Sequence, residues 1–439
     1  MLLWLEQKIE KSAMFEELKG KRLLIIGSDN SDREIVRAAK DHGIYTIAVD
    51  GVPKSLKTLA KNMADEAWDI DYSQTDTIAE EARKAGVDGV FAGYSEMRVL
   101  AAIHIAEALN LPFYATKEIM DLTRNKRSFK EICTEYGVSV PAYFCVSSMP
   151  SKDDIRDISF PVIVKPTDAA GRKGLHVCYT AEELLPAIET ALKHSLSHEV
   201  IIEEYITGTE FTALYTIADG KPSLSLMKDK YLVEAVRNAC LSNFSIAPSR
   251  ALDSYLEQMN PSVCRMLTGI GAVCGVATLQ GMYNNSGFYA FEMNYRIGDG
   301  NDHLLISQEN GTNYMDMMLH YALTGKPGIS LEKDDPHFQH YCSRLQIHLK
   351  PGIVGKMSYP AVGDIPGIVA VTQHKVPGMV VPKDLTTAHR ALSIFMMTDT
   401  VGQMCETVQN VQRSIAIEDT EGNNMMYPYF DTGLLEPRT

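Results

Sequence analysis

Phe291-Glu292-Met293-Asn294-Tyr295-Arg296 decides how the chain is read, together with Gln280 eleven residues before it. Residues two apart on a strand point to the same side. Glu292 and Asn294 therefore present a carboxylate and a carboxamide on one face, and Gln280 offers a further oxygen. Magnesium prefers such hard donors, takes few protein ligands and leaves its other positions to water and phosphate. Arg296, two residues on, brings a planar fork of donors suited to a carboxylate or a phosphoryl group. The stretch thus reads as one strand carrying two metal ligands, Glu292 and Asn294, beside an anion clamp, Arg296, with Gln280 a further ligand upstream.

Three further segments carry compatible chemistry. Pro161-Val162-Ile163-Val164-Lys165-Pro166 is an apolar strand ending in a lysine. An ammonium there needs a partner, and a phosphate oxygen would serve as well as a carboxylate. The following Thr167-Asp168-Ala169-Ala170-Gly171-Arg172-Lys173-Gly174 is a small-residue loop able to bring backbone amides to phosphate oxygens. Val200 to Glu210 reads as a strand running into a hinge, and Thr123-Arg124-Asn125-Lys126 opens a helix that ends near Tyr136.

Outward from these motifs, the chain alternates strand and helix from Lys21 to Pro112. Strands are read at Leu23–Ile26, Tyr45–Val49 and Val90–Phe91, and helices at Ser31–His42, Asp76–Ala85 and Glu96–Leu109. This is the pattern of an α/β, doubly wound parallel sheet. Its first turn, Gly27-Ser28-Asp29-Asn30-Ser31, lacks the Gly-x-Gly-x-x-Gly spacing and argues against a nicotinamide cofactor. Asp50 ends the second strand and reads equally as a ribose-binding or a plain strand-end acid. Glu96 reads as an amine contact or as a first-turn acid complementing the helix dipole. Asp219-Gly220 marks a hairpin. Met315, Met317 and Met318 read as helix packing, and His337 and His340 as surface residues.

Length and composition set limits. A chain of 439 residues implies about two to four domains. With 45% hydrophobic and 22% charged residues it has a globular composition. A net charge of −14 argues against general nucleic-acid binding. The eight cysteines are scattered and form no Cys-x-x-Cys, as expected of reduced thiols in a cytoplasmic protein. Leu2, Leu5 and Ile9 recur at helical spacing, which predicts an amphipathic helix packed on its own chain or on a partner subunit, so a homodimer is compatible. No apolar run approaches the roughly 20 residues needed to span a bilayer, so no membrane association is expected.

Taken in this order, the motifs resemble those of the ATP-grasp superfamily over roughly residues 21–325. The resemblance implies a Rossmann-like pre-ATP-grasp domain at 21–115 after an N-terminal helix at 1–20. A two-lobed α+β ATP-grasp fold would follow, with linker helices and small lobe at 116–220 and large lobe at 221–330. A C-terminal β-rich subdomain would occupy 331–439. It further implies that Lys126 and Lys165 meet ATP, with Lys130 a solvated helix residue. Gly171, Lys173 and Gly174 would form a flap over the phosphates, with Arg172 or Lys173 reaching the transferred group. Glu203, Glu204 and Ile206 would receive adenine, and Glu210 the ribose. Magnesium, or manganese in its place, would sit on Gln280, Glu292 and Asn294.

The chain departs from the family in two places. Ala169 and Ala170 replace part of the usual serine- and glycine-rich run, and Gln280 stands where many members have glutamate. Carbamoyl phosphate synthetases resemble the chain at Gln280. Ile297-Gly298-Asp299-Gly300-Asn301 differs from the Gln-Val-Glu-His run of biotin carboxylases. Asp299 and Asp302 offer an amine contact or a base, or simply turn residues. Lys228-Asp229-Lys230 reads as an acceptor-pocket edge or an exposed turn. The activity implied is ATP-dependent carboxylate–amine ligation through an acyl phosphate, with small-molecule carboxylate and amine substrates. The alternatives are a bicarbonate-activating enzyme of carbamoyl-phosphate-synthetase type and a non-catalytic nucleotide-binding regulatory protein.

Overall fold

The alternating apolar strands of the first hundred residues form a parallel sheet because each is apolar along its whole length and must be covered on both faces. In the computed structural model, which describes residues 15–29, 31–53, 59–151, 154–169, 173–233, 241–298, 301–359, 362–383 and 387–435, these strands are β1 (Arg22–Ile26), β2 (Tyr45–Val49), β3 (Glu66–Trp68) and β4 (Gly89–Phe91). They pair in parallel in the order β3-β2-β1-β4. The strand order reverses between β1 and β4, which opens a crevice at their carboxyl ends. The N-terminal helix expected over 1–20 falls largely outside the described residues; Phe15 stacks on His42 at 3.8 Å.

The helix expected to open at Thr123 begins at Lys126 and runs to Tyr136, and a separate helix, Lys117–Arg124, precedes it. Asn125 separates them: its side chain accepts from the amides of Arg127 and Ser128 and caps the second helix. A four-stranded antiparallel sheet follows, from β5 (Tyr143–Val146), β6 (Val162–Pro166), β7 (His176–Cys178) and β8 (Val200–Glu204) in the order β5-β8-β6-β7. The helix Ala181–His194 covers it, burying Leu184 and Ile188 with Val162, Val164 and Ile202.

The remaining strands are β9 (Thr209–Ala218), β10 (Lys221–Leu232), β11 (Ser242–Ala247), β12 (Gly275–Asn284), β13 (Gly287–Asn294), β14 (Tyr341–His348), β15 (Gly352–Ser358), β16 (Ile368–Gln373), β17 (Val380–Val381), β18 (Arg390–Thr398) and β19 (Ala416–Asp419). Eight strands form one sheet in the order β13-β12-β9-β10-β11-β14-β18-β16. Two boundaries read from sequence change here. The 116–220 small lobe cannot include β9, which pairs with β10 and β12, so the divide between the sheets falls between Glu204 and Thr209. The 331–439 region does not stand apart either: β14 pairs with β11 and brings β18 and β16 into the large sheet. Without that pairing β11 would expose an unpaired edge. Strands β15, β17 and β19 make a small separate sheet.

The strands' two-residue period sorts this large sheet into a packed face and a polar face. Phe211, Ala213 and Tyr215 of β9 turn to the core, where Tyr215 meets Tyr255 at 2.7 Å and Asn260 at 3.0 Å. Glu210 and Thr212 alternate with them and lie opposite Lys230 and Lys228. Gly281 sits opposite Phe211 on the packed face, and a methyl group added there would come within 2.5 Å of the Phe211 ring and of the Tyr289 carbonyl. Gly281→Ala should lower unfolding free energy by about 1–3 kcal/mol, the usual cost of overpacking. An unchanged denaturant midpoint would contradict this packing.

Candidate active site

The polar face of the large sheet meets the small sheet at a line of charged side chains. Gln280 lies directly opposite Glu292, and Thr278 opposite Asn294. The side chains of Gln280, Glu292 and Asn294 thus gather from two adjacent strands. Gln280 donates through Nε2 to Glu292 at 2.6 Å, and Lys230 donates to the Gln280 Oε1 at 3.0 Å. Lys230 also pairs with Glu210. The four side chains form one network.

Arg296 lies just beyond the end of β13, in the following bend rather than on the strand. It remains on the same side. Its Nη2 reaches Asn294 Oδ1 at 3.5 Å and Glu96 at 3.7 Å, and its Nη1 donates to the Ile297 carbonyl at 3.2 Å. Its Nε is buried and has no hydrogen-bond partner among the described residues. Glu96 begins the helix that follows β4, so the crevice of the parallel sheet opens onto the guanidinium. The turn there is tied across, the Tyr94 amide donating to the Ile297 carbonyl at 3.1 Å. Asp50 faces Arg98 at 3.1 Å, in company with Asp29 and Asp32.

From the other side come three lysines. Lys126 donates through its side chain to the Ala169 carbonyl at 2.8 Å and through its amide to the Thr167 carbonyl at 2.9 Å. Burial lowers its pKa, Lys165 lowers it further, and Glu292, Glu203 and Glu96 oppose the shift. Lys165 donates to Glu203 Oε2 at 2.8 Å. Lys130, read from sequence as solvated, is fully buried: its ammonium donates to the Ala290 carbonyl at 3.1 Å and stands 3.4 Å from Glu203 Oε1. Burial pushes Lys130 down to about 8, Lys165 adds to the effect, and Glu203 opposes it. Burial alone would raise the Glu203 carboxyl, but Lys165 and Lys130 hold it below the usual range.

The loop after β6 is only partly described. Gly171 and Arg172 lie outside the described residues. Lys173 is exposed, and Gly174 has φ +73°, the left-handed region open to glycine. Asp168 anchors the loop's start by accepting from Ser195 Oγ at 3.0 Å and the Ser197 amide at 2.6 Å. At the hinge, Glu204 is exposed and its amide already donates to the Ala142 carbonyl at 2.8 Å. The Glu203 carboxylate, expected to face adenine, is turned to the two lysines. Ile206 lies between β8 and β9, half-buried.

Beside this line lies a second buried ion pair. Lys228, read as equally an exposed turn, continues β10 and is buried; its ammonium bonds both Asp302 oxygens at 2.7 Å. Burial pushes Lys228 down to about 8, with Asp302 opposing and Arg344 assisting. Asp302 is thus engaged by Lys228 rather than by Arg296, and Asp299 lies outside the described residues. Asp229 points to the opposite face, where Ser249 Oγ donates to it at 2.5 Å and Tyr283 at 3.2 Å. His337 and His340 are half-exposed and face acids, His337 beside Asp253 and Asp335, His340 beside Glu309. Met315, Met317 and Met318 are buried in helix packing. The seven described cysteines are free thiols.

Comparison with known proteins bears on this site. Residues 125–327 match the family described as carbamoyl-phosphate synthase L chain, ATP binding domain. The chain is 24% identical over 297 residues to the carbamoyl phosphate synthase large chain of Rubrobacter xylanophilus, covering 63% of this chain and 28% of that one. The chain therefore spans under a third of the length of that relative. It is 25% identical over 364 residues to biotin carboxylase 1 of Bacillus subtilis, covering 79% of each. Its fold superposes on the crystal structure of an L-amino acid ligase from Bacillus licheniformis with TM-score 0.75 and 18% identity, over 91% of this chain and 99% of that one.

Removing Asp302 would strand the buried Lys228 ammonium. Asp302→Ala should destabilise the fold by about 3–5 kcal/mol, the cost of an uncompensated buried charge. A loss below about 0.5 kcal/mol in chemical denaturation, the range of ordinary surface substitutions, would show that the pair is not buried as described.

Proposed function

We propose that this member of the ATP-grasp superfamily is a carboxylate–amine ligase that activates a carboxylate with ATP and passes the acyl group to an amine. The observation that carries the reading is the convergence of an oxygen donor set and a lysine set on one line: Gln280, Glu292 and Asn294 across from Lys126 and Lys165. One set suits a hard cation and the other suits phosphate oxygens. The family match over 125–327 supports the nucleotide.

The residue types fit magnesium, one carboxylate and two carboxamides on adjacent strands, provided the Gln280 amide turns its oxygen from Lys230 toward the ion. When bound, the ion would neutralise charge on the nucleotide's phosphates. Manganese would fit the same oxygens. The chain's own residues do the rest. Lys126 and Lys165 hold the phosphates, and Lys173 and Gly174 cover them together with Gly171 and Arg172. The Glu204 carbonyl and the Ile206 amide take the adenine edge, and Glu210 takes the ribose after giving up part of its contact with Lys230. Arg296 steadies the transferring phosphoryl group or the acyl phosphate. Such a site works by positioning and charge compensation rather than by covalent catalysis.

In this reading the parallel-sheet unit is the pre-ATP-grasp domain, and its Glu96 meets the amine or orients Arg296 from the crevice side. The small and large sheets are the two lobes, and the strands after residue 331 complete the second. The protein acts on small molecules in the cytoplasm.

Two measurements test the reading together. ADP release from wild type should depend on both an added carboxylate and an added amine; release independent of both, across a grid of amino acids and small acids, would contradict it. Arg296→Lys keeps the charge and loses the fork, so kcat should fall by roughly tenfold to a thousandfold with little change in KM for ATP, the range for one transition-state donor. If Arg296 merely tethers Glu96 to the Ile297 carbonyl, the lysine variant would keep its kcat and lose only thermal stability.

A further inference from the structure

Lys130 is a buried charge beside the site that the functional reading leaves without a task. It lies one helical turn after Lys126 on the helix Lys126–Tyr136, so the two side chains share a face. Its surroundings come from three elements. Glu203 reaches it from β8, Lys165 from β6, and the Ala290 carbonyl from β13, with Cys133 beside it on its own helix. Ala290 is also held by its amide, which donates to the Ser139 carbonyl at 2.8 Å. Lys130 therefore touches the hinge strand and the strand of Glu292 at once.

The contact with Glu203 has an informative geometry. Lys165 makes a full hydrogen bond to one carboxylate oxygen, at 2.8 Å. Among the described residues the other oxygen, also buried, accepts no hydrogen bond, and the Lys130 ammonium stands 3.4 Å from it, beyond ordinary hydrogen-bond length. What Lys130 supplies to Glu203 is thus mainly charge. Lys130, Lys165 and Glu203 together carry one net positive charge. With Lys130 uncharged, Glu203 would neutralise Lys165 by itself, and Lys126 would be left as the nearby lysine to attract an anion.

We propose that Lys130 is a positioning residue of the nucleotide site, sharing the Glu203 carboxylate so that Lys165 keeps a net positive charge for an anionic ligand. This rests on the nucleotide-binding reading above. Burial holds the Lys130 pKa near 8, so the ammonium is present at neutral pH.

The experiment is calorimetric titration at pH 7 with magnesium and adenylyl imidodiphosphate, on four forms: wild type, Lys130→Met, Lys130→Arg and Lys130→Met combined with Glu203→Gln. Lys130→Met should weaken binding on the order of tenfold, the size of one partly screened charge several ångströms from the ligand. In turnover it should raise KM for ATP and leave kcat within about twofold, because uniform binding is what it loses. Lys130→Arg should recover most of the affinity. The double variant should recover it too, because Lys165 then stands alone and the net charge is again positive. Melting temperatures on the same preparations separate fold from function. Equal binding by wild type and Lys130→Met would overturn the proposal while leaving the nucleotide site intact. Weaker binding by the double variant than by Lys130→Met would overturn it in favour of a purely structural lysine. A wild type that binds no nucleotide would overturn the functional reading itself, and this inference with it.

Discussion

Charges buried at the seam between two sheets must compensate one another, and in this molecule that constraint organises everything near the seam. Glu203 is almost fully buried, and a lone carboxylate there would cost several kcal/mol. Lys165 and Lys130 make it tolerable. Each lysine in turn belongs to a different element, so the ion group fastens β6, β8 and the helix Lys126–Tyr136 to one point, and through the Ala290 carbonyl to β13 as well. The same logic recurs at Lys228 and Asp302, where β10 is joined to the segment after β13. These groups need not add much net stability. They fix which side chains face each other across the seam.

That fixing is what makes chemistry available. The register of β12 against β13 sets Gln280 opposite Glu292, and a slip of one residue by either strand would turn that strand's residue to the packed face. Gly281 and the ring of Phe211 lock the register from behind, because nothing larger than hydrogen fits between them. The parallel sheet contributes from its crevice, where Glu96 approaches Arg296. The parallel sheet and the packed face of β9, β12 and β13 share one apolar core, while the small sheet has its own, and all three border the seam. The polar residues are carried there by strand alternation and helix faces.

Much of this was legible in the sequence, and the limits of legibility have physical causes. Tyr45–Val49 and Glu96–Leu109 have the bounds read from sequence, because each has a clear pattern and sharp punctuation at its ends. The placement of Glu292 and Asn294 on one face of one strand was legible because its signal is local, two residues apart on a strand. The assignment of β9 failed because its apolar alternation fits either sheet, and only pairing with β12, some sixty residues on, decides. Lys130 failed for a similar reason. A lysine on a polar-looking helix reads as solvated, and its partners are Glu203 and, 160 residues away, Ala290. Lys228 was obscured by its charged neighbours, since Lys228-Asp229-Lys230 looks like a turn until the strand is seen to alternate them between faces. The split at Asn125 was visible in principle: asparagine before a helical run is a cap signal, and it was overridden by the continuous helical pattern around it.

The central claim is that the seam between the sheets is a magnesium-dependent ATP site. The most direct measurement is calorimetric titration of the intact chain with ATP, with and without magnesium, in competition with NAD. The account predicts one ATP site with affinity between low micromolar and millimolar, about −8 to −4 kcal/mol, tightened by magnesium and indifferent to NAD. Binding of NAD with no binding of ATP would contradict it.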